Sequence, residues 1–434
     1  MKPEVLPKEM ALGSAGFKIR NLRWYVVGLI SLAIIICLVD RQVFSILAPD
    51  LQRDIGWSEL DYSRMVIAFQ LSYAVMMMVS GRITDMIGTK LSYSIAIIWW
   101  SIAEAAHAFA RTPLGFGIAR FFLGVGEAPY FPASMKTISE WFPKKERALA
   151  TGILNAAVTL GAIVSPVVIP RLNQSYGWQG TFIIMGLAGA IPLAGWIILY
   201  RRPELHPWVT SEELRLIREG SEREERKTTT RWAKLLKYRQ TYTIAVPKVL
   251  IDPVFYFYLY WLPKYLAQEH NIRGTAITPY LSTVWTMTGL GSLAAGYLSS
   301  WLIKRGWTVN WARKAAMACC AAVTPFVVIA CFTKHPWTAV LLVGLVLAAH
   351  QGFSTTIFTL GSDLFPSHTV ASVIGIGGFI GSLSAVLFSE MTGRILDKDP
   401  RYYLPMFVVS GSVYIIAVFV VHILSPKLTP ADLR

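Results

Sequence analysis

Charged side chains are scarce in this sequence. Only 15% of the 434 residues are Asp, Glu, Lys or Arg, whereas 54% are hydrophobic, and the mean hydropathy is +0.47. A soluble multidomain protein of this length carries more charge, because its folded surface has to be hydrated. The composition therefore excludes a soluble class and predicts a membrane protein.

Cysteines and enzyme motifs are also few. The four cysteines lie inside apolar runs without metal-ligand spacing, so we interpret them as small buried hydrophobic residues: Cys37, Cys319, Cys320 and Cys331. No His-Glu-x-x-His, Gly-x-Ser-x-Gly or Walker A sequence occurs. We therefore expect a protein that is not an enzyme, holds no metal or cofactor, and is not a single-chain ATP-driven pump. The glycine-rich run 375–381 is apolar and predicts close helix packing.

Long apolar runs recur along the whole chain. An α-helix needs about 20 residues to cross a hydrocarbon core about 30 Å thick, and many runs reach that length. The first run is too long for a signal-peptide core and has no small-residue cleavage site after it, so we interpret it as a retained span. Twelve spans are predicted, at residues 24–48, 61–81, 91–110, 113–138, 146–169, 180–200, 240–266, 276–303, 312–333, 335–361, 369–393 and 402–424.

The 41 Lys and Arg residues indicate an orientation. If the N-terminus lies in the cytoplasm, most of them fall in cytoplasmic segments, which predicts that both termini are cytoplasmic. The net charge of +15 is therefore explained by topology. Because the basic residues form no patch interleaved with aromatic residues, we expect no nucleic-acid binding.

One long polar stretch divides six spans from six. It predicts a cytoplasmic tail at 1–23, an N-terminal six-helix half at 24–200, a cytoplasmic linker at 201–240, a second six-helix half at 241–424, and a cytoplasmic tail at 425–434. The linker is rich in Glu, Lys and Arg, which is typical of an amphipathic surface helix or a mobile connection.

The two halves contain similar sequences. Residues 140–152 align without gaps with residues 363–375, at an offset of 223, and the acidic residue, Phe-Pro, Ala and Gly coincide. Both segments lie between the fourth and fifth spans of their half. This favours an internal duplication, as in secondary transporters whose halves rock about a central site. The offset places Glu127 over His350.

A glycine-rich loop follows the second span. Residues 81–90, Gly-Arg-Ile-Thr-Asp-Met-Ile-Gly-Thr-Lys, resemble the signature loop of the major facilitator superfamily. Asp85 can cap a helix there and pair with Arg147 or another loop cation, which predicts a cytoplasmic gate. The corresponding loop of the second half, at 296–301, lacks the Asp, so we expect a weaker gate.

Two further strings narrow the resemblance. Residues 40–49, with Asp40 and Arg41, and residues 120–133, with Arg120 and Glu127, are similar to the anion:cation symporter branch of that superfamily. The resemblance implies an all-α polytopic membrane protein with twelve transmembrane helices in two pseudo-symmetric halves. It further implies a central cavity, alternating access, and a small organic anion such as a hexuronate or aldonate as substrate.

Two arginines are predicted at the same depth. Arg41 and Arg120 each lie seven to eight residues from the external end of their span, so both are roughly 10–12 Å below the outer surface. An arginine at that depth requires an oppositely charged partner or water, and its planar guanidinium matches the geometry of a carboxylate. The alternative is a purely structural ion pair of either arginine with Asp40 or Glu127.

Two carboxyl groups are candidates for proton coupling. Glu127 lies seven residues from Arg120, on the same helical face and about two turns deeper. Burial favours its neutral form and a nearby arginine its charged form, so it can carry a proton. By the resemblance to proton-coupled members, Glu127 and Asp40 are the protonation sites, although Asp40 could instead tune coupling.

Other polar residues inside spans are candidate substrate contacts. Tyr73 and Asn155 could hydrogen-bond a hydroxyl group, or could be core residues. The aromatic series that contains Tyr256 could line a sugar pocket, or could simply pack.

The seventh and tenth spans resemble those of hexuronate carriers. Lys248 is a candidate substrate contact, or Lys248 and Asp252, which lie at i and i+4, could simply neutralise each other. His350 and Gln351 could contact substrate, or His350 could form an interhelical hydrogen bond.

The sequence thus predicts a proton symporter of a sugar acid, with a hexuronate such as galacturonate or glucuronate favoured and an aldonate, aldarate or other small carboxylate as the alternative. A non-transporting membrane sensor on the same fold is the alternative from another class. The expected partners are the anion, protons and the bilayer. We expect a monomer in a bacterial inner membrane.

Overall fold

The computed structural model describes residues 18–219 and 232–431, and regular structure in these ranges is helical. The α-helices are α1 Leu22–Ile55, α2 Glu59–Ile87, α3 Thr89–Ala106, α4 Pro113–Glu127, α5 Tyr130–Trp141, α6 Lys144–Ala188, α7 Ala190–Leu199, α8 Ser211–Glu219, α9 Trp232–Leu235, α10 Arg239–Glu269, α11 Thr278–Lys304, α12 Val309–Val323, α13 Pro336–Leu364, α14 Ser367–Lys398 and α15 Leu404–Leu424. Short 3-10 turns occupy His107–Phe109, Pro203–Leu205, Gly274–Ile277 and Thr324–Cys331.

These helices make twelve crossings. The fourth consists of α4 and α5, the ninth of α12 with the 3-10 turn that follows it, and the sixth of the end of α6 with α7. Gly177 divides α6, because its φ of 67° and ψ of 175° interrupt the helix. Seven helical segments of the described residues are long and apolar enough to span a membrane on their own. The predicted twelve-helix architecture is confirmed.

The internal repeat is visible at the helix ends. α5 ends at Trp141 and α6 begins at Lys144, while α13 ends at Leu364 and α14 begins at Ser367, at the same offset of 223 residues. A Phe-Pro pair separates the helices in both cases. Proline suits the residue before a helix, since it has no N–H to donate. The sequence match thus corresponds to a repeated helix break.

The described part of the linker lies against the N-terminal half. Glu213 of α8 accepts hydrogen bonds from the backbone N–H groups of Leu22 and Arg23, at 3.0 and 3.1 Å. The Arg23 side chain also pairs with Glu213 at 2.9 Å and with Glu146 at 2.8 Å. A carboxylate at this position accepts hydrogen bonds from the free N–H groups at the start of α1. Its negative charge also interacts favourably with the positive end of the α1 helix dipole. Residues 220–231 of the linker lie outside the described residues.

Hydrogen bonds between the halves cluster at the end of the bundle remote from the termini. Ser63 of α2 donates to the carbonyl of Ser389 in α14 at 2.9 Å. Gly393 permits this close approach, because a Cβ there would lie 2.3 Å from the Ser63 Cβ. Thr278 at the start of α11 donates to the carbonyl of Pro166 in α6 at 2.6 Å. The structure is therefore closed at that end.

A buried ion pair lies in this closed end. The Lys264 ammonium of α10 contacts the Glu59 carboxylate of α2 at 2.5 Å, and Lys264 is only 1% exposed. Gln52 and Gln268 both donate to the other Glu59 oxygen at 3.2 Å, and the Tyr62 ring lies 4.4 Å from the ammonium. The charged groups are therefore paired and hydrogen-bonded, as burial requires.

We expect Glu59→Gln to open this end. Removing one partner of a buried pair costs about 3–5 kcal/mol, because the other charge stays buried and unpaired. In protein whose native cysteines are replaced by serine, Ser389→Cys provides a buried thiol at the closure. Glu59→Gln should raise its labelling rate by a membrane-impermeant maleimide about tenfold or more.

Arg394→Gln is the matched control, because Arg394 pairs with Glu390 at the exposed surface. Such pairs are worth about 0.2–1 kcal/mol, so labelling should barely change. If Glu59→Gln labels no faster than this control, the ion pair does not hold the end closed.

Candidate functional site

An ion pair lies in the middle of the N-terminal half. The Arg41 guanidinium of α1 donates to one oxygen of Glu127, from Nε at 2.9 Å and from Nη2 at 2.7 Å. Both residues are buried, and the second Glu127 oxygen has no hydrogen-bond partner among the described residues. The charges of Arg41 and Glu127 therefore neutralise each other, and one Glu127 oxygen can still accept a hydrogen bond.

A helix break positions this carboxylate. Glu127 is the last residue of α4, and α5 starts at Tyr130 after Ala128 and Pro129. Pro129 has no backbone N–H, so it cannot continue the hydrogen-bond ladder of α4. Breaks of this kind are tolerated in a membrane protein where they line a site.

Aromatic rings cover the Arg41 guanidinium. Its central carbon lies 4.6 Å from the ring centre of Tyr73 and 5.2 Å from that of Phe69. The two rings are stacked, with centroids 5.7 Å apart. Cation–π attraction offsets part of the cost of burying the arginine. The predicted contact residue Tyr73 is therefore next to Arg41.

Arg120 lies on the other side of the same aromatic cluster. Its guanidinium carbon is 4.4 Å from the Phe69 ring, 5.0 Å from Phe44 and 5.9 Å from Tyr260. The side chain is fully buried, and its three nitrogens form no hydrogen bond with any residue the structure describes. Its hydrogen-bonding capacity is unused, which is costly for a buried cation and leaves it free for an anion.

The C-terminal half contributes aromatic and charged residues. Tyr256 is half-buried and stacks on Tyr260, with ring centroids 6.3 Å apart. Lys248 and Asp252 form an ion pair of 3.0 Å along α10, so in this structure they neutralise each other. Gly381 of α14 packs against this pair, since a Cβ there would lie 2.2 Å from an Asp252 oxygen.

The predicted contacts of the tenth span lie on α13. The His350 Nδ1 is 3.0 Å from the Tyr414 hydroxyl of α15, and the His350 ring stacks on Phe255 at 5.2 Å. In this structure His350 therefore forms the interhelical hydrogen bond that the sequence analysis gave as the alternative to a substrate contact. Gln351 is half-buried beside it, and Asn155 is exposed on α6.

The predicted gate residues have different partners from the expected pair. Asp85 at the end of α2 contacts Lys136 of α5 at 2.7 Å. Arg147 instead donates to the carbonyls of Phe142 and Ser139, at 3.0 and 2.8 Å. These are free carbonyls at the end of α5, which a nearby cation satisfies. Asp85 and Arg147 are therefore not brought together in this structure.

Two buried side chains beside Asp40 and the arginines, Glu104 and His107, are not among the residues predicted from the sequence. Asp40 and Glu104 are fully buried, and none of their carboxylate oxygens has a hydrogen-bond partner among the described residues. His107 follows Glu104 by one helical turn and is also fully buried. An acid and a histidine three residues apart within the apolar third span were the available signal.

Comparison with known proteins agrees with this architecture. The chain is similar to the hexuronate transporter of Escherichia coli (strain K12), with 30% identity over 386 residues, 88% of this chain and 89% of the relative. It is 28% identical over 397 residues to a probable L-galactonate transporter of the same strain, with 90% and 87% covered. A probable galactarate/D-glucarate transporter of Bacillus subtilis (strain 168) is 25% identical over 416 residues, with 92% and 90% covered.

Solved structures share the fold. An inward-facing, occupied bacterial homologue of the human lysosomal transporter Spinster superposes with a TM-score of 0.76 at 17% identity, covering 94% of this chain and 98% of that one. The D-xylose-proton symporter superposes with a TM-score of 0.73 at 15% identity and the same coverage. The family model described as Major Facilitator Superfamily matches residues 30–389. This chain is an integral membrane protein and belongs to the major facilitator superfamily.

Proposed function

We propose that this protein imports a sugar acid, a hexuronate such as galacturonate or glucuronate, together with protons by alternating access. The observation that carries the proposal is the fully buried Arg120, which lies near the Arg41–Glu127 pair and whose guanidinium has no hydrogen-bond partner in the described part of the chain. A planar guanidinium forms two parallel hydrogen bonds with a carboxylate. A carboxylate ligand would satisfy its unused donors.

The surroundings suit a sugar. Tyr73 and Tyr256 are half-buried and have hydroxyl groups for hydrogen bonding, while the stacked rings of Tyr256 and Tyr260 offer an apolar face. Binding sites for small polar ligands commonly combine aromatic walls with a few placed polar groups. The relatives named for hexuronate, galactonate and glucarate transport support a sugar acid as the class. The resemblance of the seventh and tenth spans favours a hexuronate within it.

The direction of opening follows from the distribution of charge. If the termini are cytoplasmic, as the basic residues predict, the closed end with Glu59 and Lys264 faces outward. The structure then corresponds to an inward-facing state, from which substrate leaves to the cytoplasm. Rocking of the two halves about the arginine cluster would expose the same site to the outside.

Glu127 links substrate to protons in this proposal. In the substrate-free protein its carboxylate compensates Arg41, at 2.7 Å. An arriving anion competes for the arginines, and protonation of Glu127 removes the competing negative charge. Anion binding and proton binding are then linked, because each raises the affinity of the protein for the other.

A thermal-shift screen tests the substrate class. Purified protein should be stabilised by galacturonate or glucuronate more than by aldonates or aldarates. Stabilisation by an aldonate or aldarate alone would favour the alternative substrate. Stabilisation without accumulation in proteoliposomes would favour the sensor alternative.

The two arginines should differ in their effect on stability. Arg120→Gln should weaken sugar-acid binding by about 30-fold or more, since losing a buried charged contact costs about 2–5 kcal/mol. Its melting temperature should fall less than that of Arg41→Gln, because the Arg120 guanidinium has ring contacts but no hydrogen bond to a described residue. Arg41→Gln should lose binding and also lower the melting temperature, because Glu127 is left without its partner. Binding and melting temperature are measured on the same preparations.

Arg111→Gln is the matched control, since Arg111 donates to the Ala108 and Ala110 carbonyls just after α3 and lies over the Trp178 ring, away from the arginine site. Its binding affinity should be unchanged. Near-normal affinity in both Arg41→Gln and Arg120→Gln would contradict a carboxylate site at these residues.

Glu127→Gln should separate exchange from coupling. A permanently neutral side chain lets the loaded protein rock, so counterflow of labelled substrate should persist. Uptake driven by a proton gradient should fall to the level seen without a gradient, because no proton has to be bound or released at this position. Glu390→Gln, at an exposed ion pair, should leave both activities intact. Concentrative uptake by Glu127→Gln would place coupling elsewhere, with Asp40 next.

Asp85→Asn should impair the gate. We expect this variant to favour the inward-open state and to reduce transport more than binding, because Asp85 no longer attracts cations near the cytoplasmic end. Lys136→Gln should leave the state unchanged, since Lys136 and Asp85 belong to one half and their 2.7 Å pair does not join the two halves. Labelling of cysteines introduced on the two sides of the cavity measures the state. Unchanged labelling in Asp85→Asn would argue against a gate at Asp85.

A further inference from the structure

Glu104 and His107 are buried ionisable residues near the two arginines, and transport as proposed above does not involve them. Glu104 of α3 is fully buried, and neither of its carboxylate oxygens has a hydrogen-bond partner among the described residues. The same is true of both Asp40 oxygens and of all three Arg120 guanidinium nitrogens. Buried charged groups are normally paired or hydrogen-bonded, so this number of donors and acceptors without a hydrogen-bond partner requires an explanation.

Glu104 faces ionisable groups from the elements around it. His107 Nδ1 lies 3.9 Å from a Glu104 oxygen, and the carboxyl group interacts electrostatically with Arg120 and Glu127 of α4 and with Asp40 of α1. From α6, Phe182 stacks on His107 at 4.9 Å and brings no charge. The group is therefore an acidic cluster with one unpartnered arginine and one histidine.

His107 is neutral in this arrangement. Its Nδ1 lies 2.9 Å from the carbonyl oxygen of Ala103, and a carbonyl can only accept, so Nδ1 carries the hydrogen. Its Nε2 has no partner among the described residues and lies in an apolar setting between Phe182 and Phe116. A second proton there would be buried without an acceptor.

The buried charges of the cluster do not balance unless a proton is added. Arg41 and Arg120 bring two positive charges, whereas Asp40, Glu104 and Glu127 bring three carboxyl groups, all of them buried. Glu127 is paired with Arg41. Asp40 and Glu104 are left with Arg120 alone, so one of these two carboxyl groups is in excess.

We propose that Glu104 and Asp40 together hold one proton in the substrate-free transporter, bound to one carboxyl group or the other, and that this retained proton balances the buried charge of the N-terminal half. The remaining carboxylate of the two then compensates Arg120. This inference rests on the proposed function, in which a substrate carboxylate takes over Arg120. When that anion arrives, Glu127 takes up the one added proton as proposed above, while the proton on Glu104 or Asp40 stays in place, so each monovalent anion enters with one proton and the buried charge stays at zero.

Glu104 acts here as a positioning residue for the proton and does not contact substrate. Its test therefore needs a readout that a structural role would not change. Infrared spectroscopy of the purified, substrate-free protein at neutral pH detects the carbonyl stretch of a protonated carboxyl group, which shifts in heavy water. We expect this band in the native protein. In Glu104→Gln the band should lose the intensity that one protonated carboxyl group contributes.

Glu390→Gln is the matched control, because the same chemical change is made at a carboxylate already paired with Arg394 at the surface. It should leave the band intact. If Glu104→Gln does not fold, Glu104→Asp serves instead, and the band should persist at a shifted frequency. An unchanged band in folded Glu104→Gln, or an unshifted band in Glu104→Asp, would overturn the proposal.

The measurement needs no substrate, so it separates this inference from the proposed function. Loss of the band in Glu104→Gln, together with no sugar-acid transport by the native protein, would reject the proposed function alone. Sugar-acid transport by the native protein with an unchanged band in Glu104→Gln would reject the role of Glu104 alone.

Discussion

The burial of arginine among apolar helices is the constraint on which the rest of the structure depends. Arg41 meets it through Glu127 at 2.7 Å and through the rings of Tyr73 and Phe69. Arg120 lies against aromatic rings, and its nitrogens have no hydrogen-bond partner among the described residues. The proposed anion site rests on this unsatisfied cation beside a satisfied one. The break of α4 after Glu127 places at the end of a helix the carboxylate that would compete with the proposed anion.

The two ends of the bundle contain different ion pairs: one is buried and joins the two halves, and the other is largely exposed and lies within one half. Glu59 and Lys264 join the halves and are almost fully buried, so separating them exposes two charges that were compensated. Asp85 and Lys136 belong to one half, and the Asp85 side chain is largely exposed. A rocking motion therefore has to break the first pair and leaves the second intact. This asymmetry is consistent with a structure that is closed at the end remote from the termini.

The fold and most central residues were predictable from sequence, because a charge inside an apolar run is rare enough to stand out. Local pairs were predictable as well, as the i,i+4 contact of Lys248 with Asp252 shows. The choice between Arg41 and Arg120 as the partner of Glu127 was not, because the sequence allowed either arginine, and the structure pairs Glu127 with Arg41 of α1. Glu59 and Lys264 are 205 residues apart in sequence and meet only through packing of the two halves.

We propose that a sugar acid moves together with protons through this charge cluster. Uptake of labelled galacturonate or glucuronate into proteoliposomes containing the purified protein, with an imposed pH difference that is acidic outside, tests this coupling. Substrate should accumulate above its external concentration and should flow out again when a protonophore collapses the gradient. Uptake that only equilibrates, with the same rate and extent with and without the pH difference, would contradict proton-coupled transport.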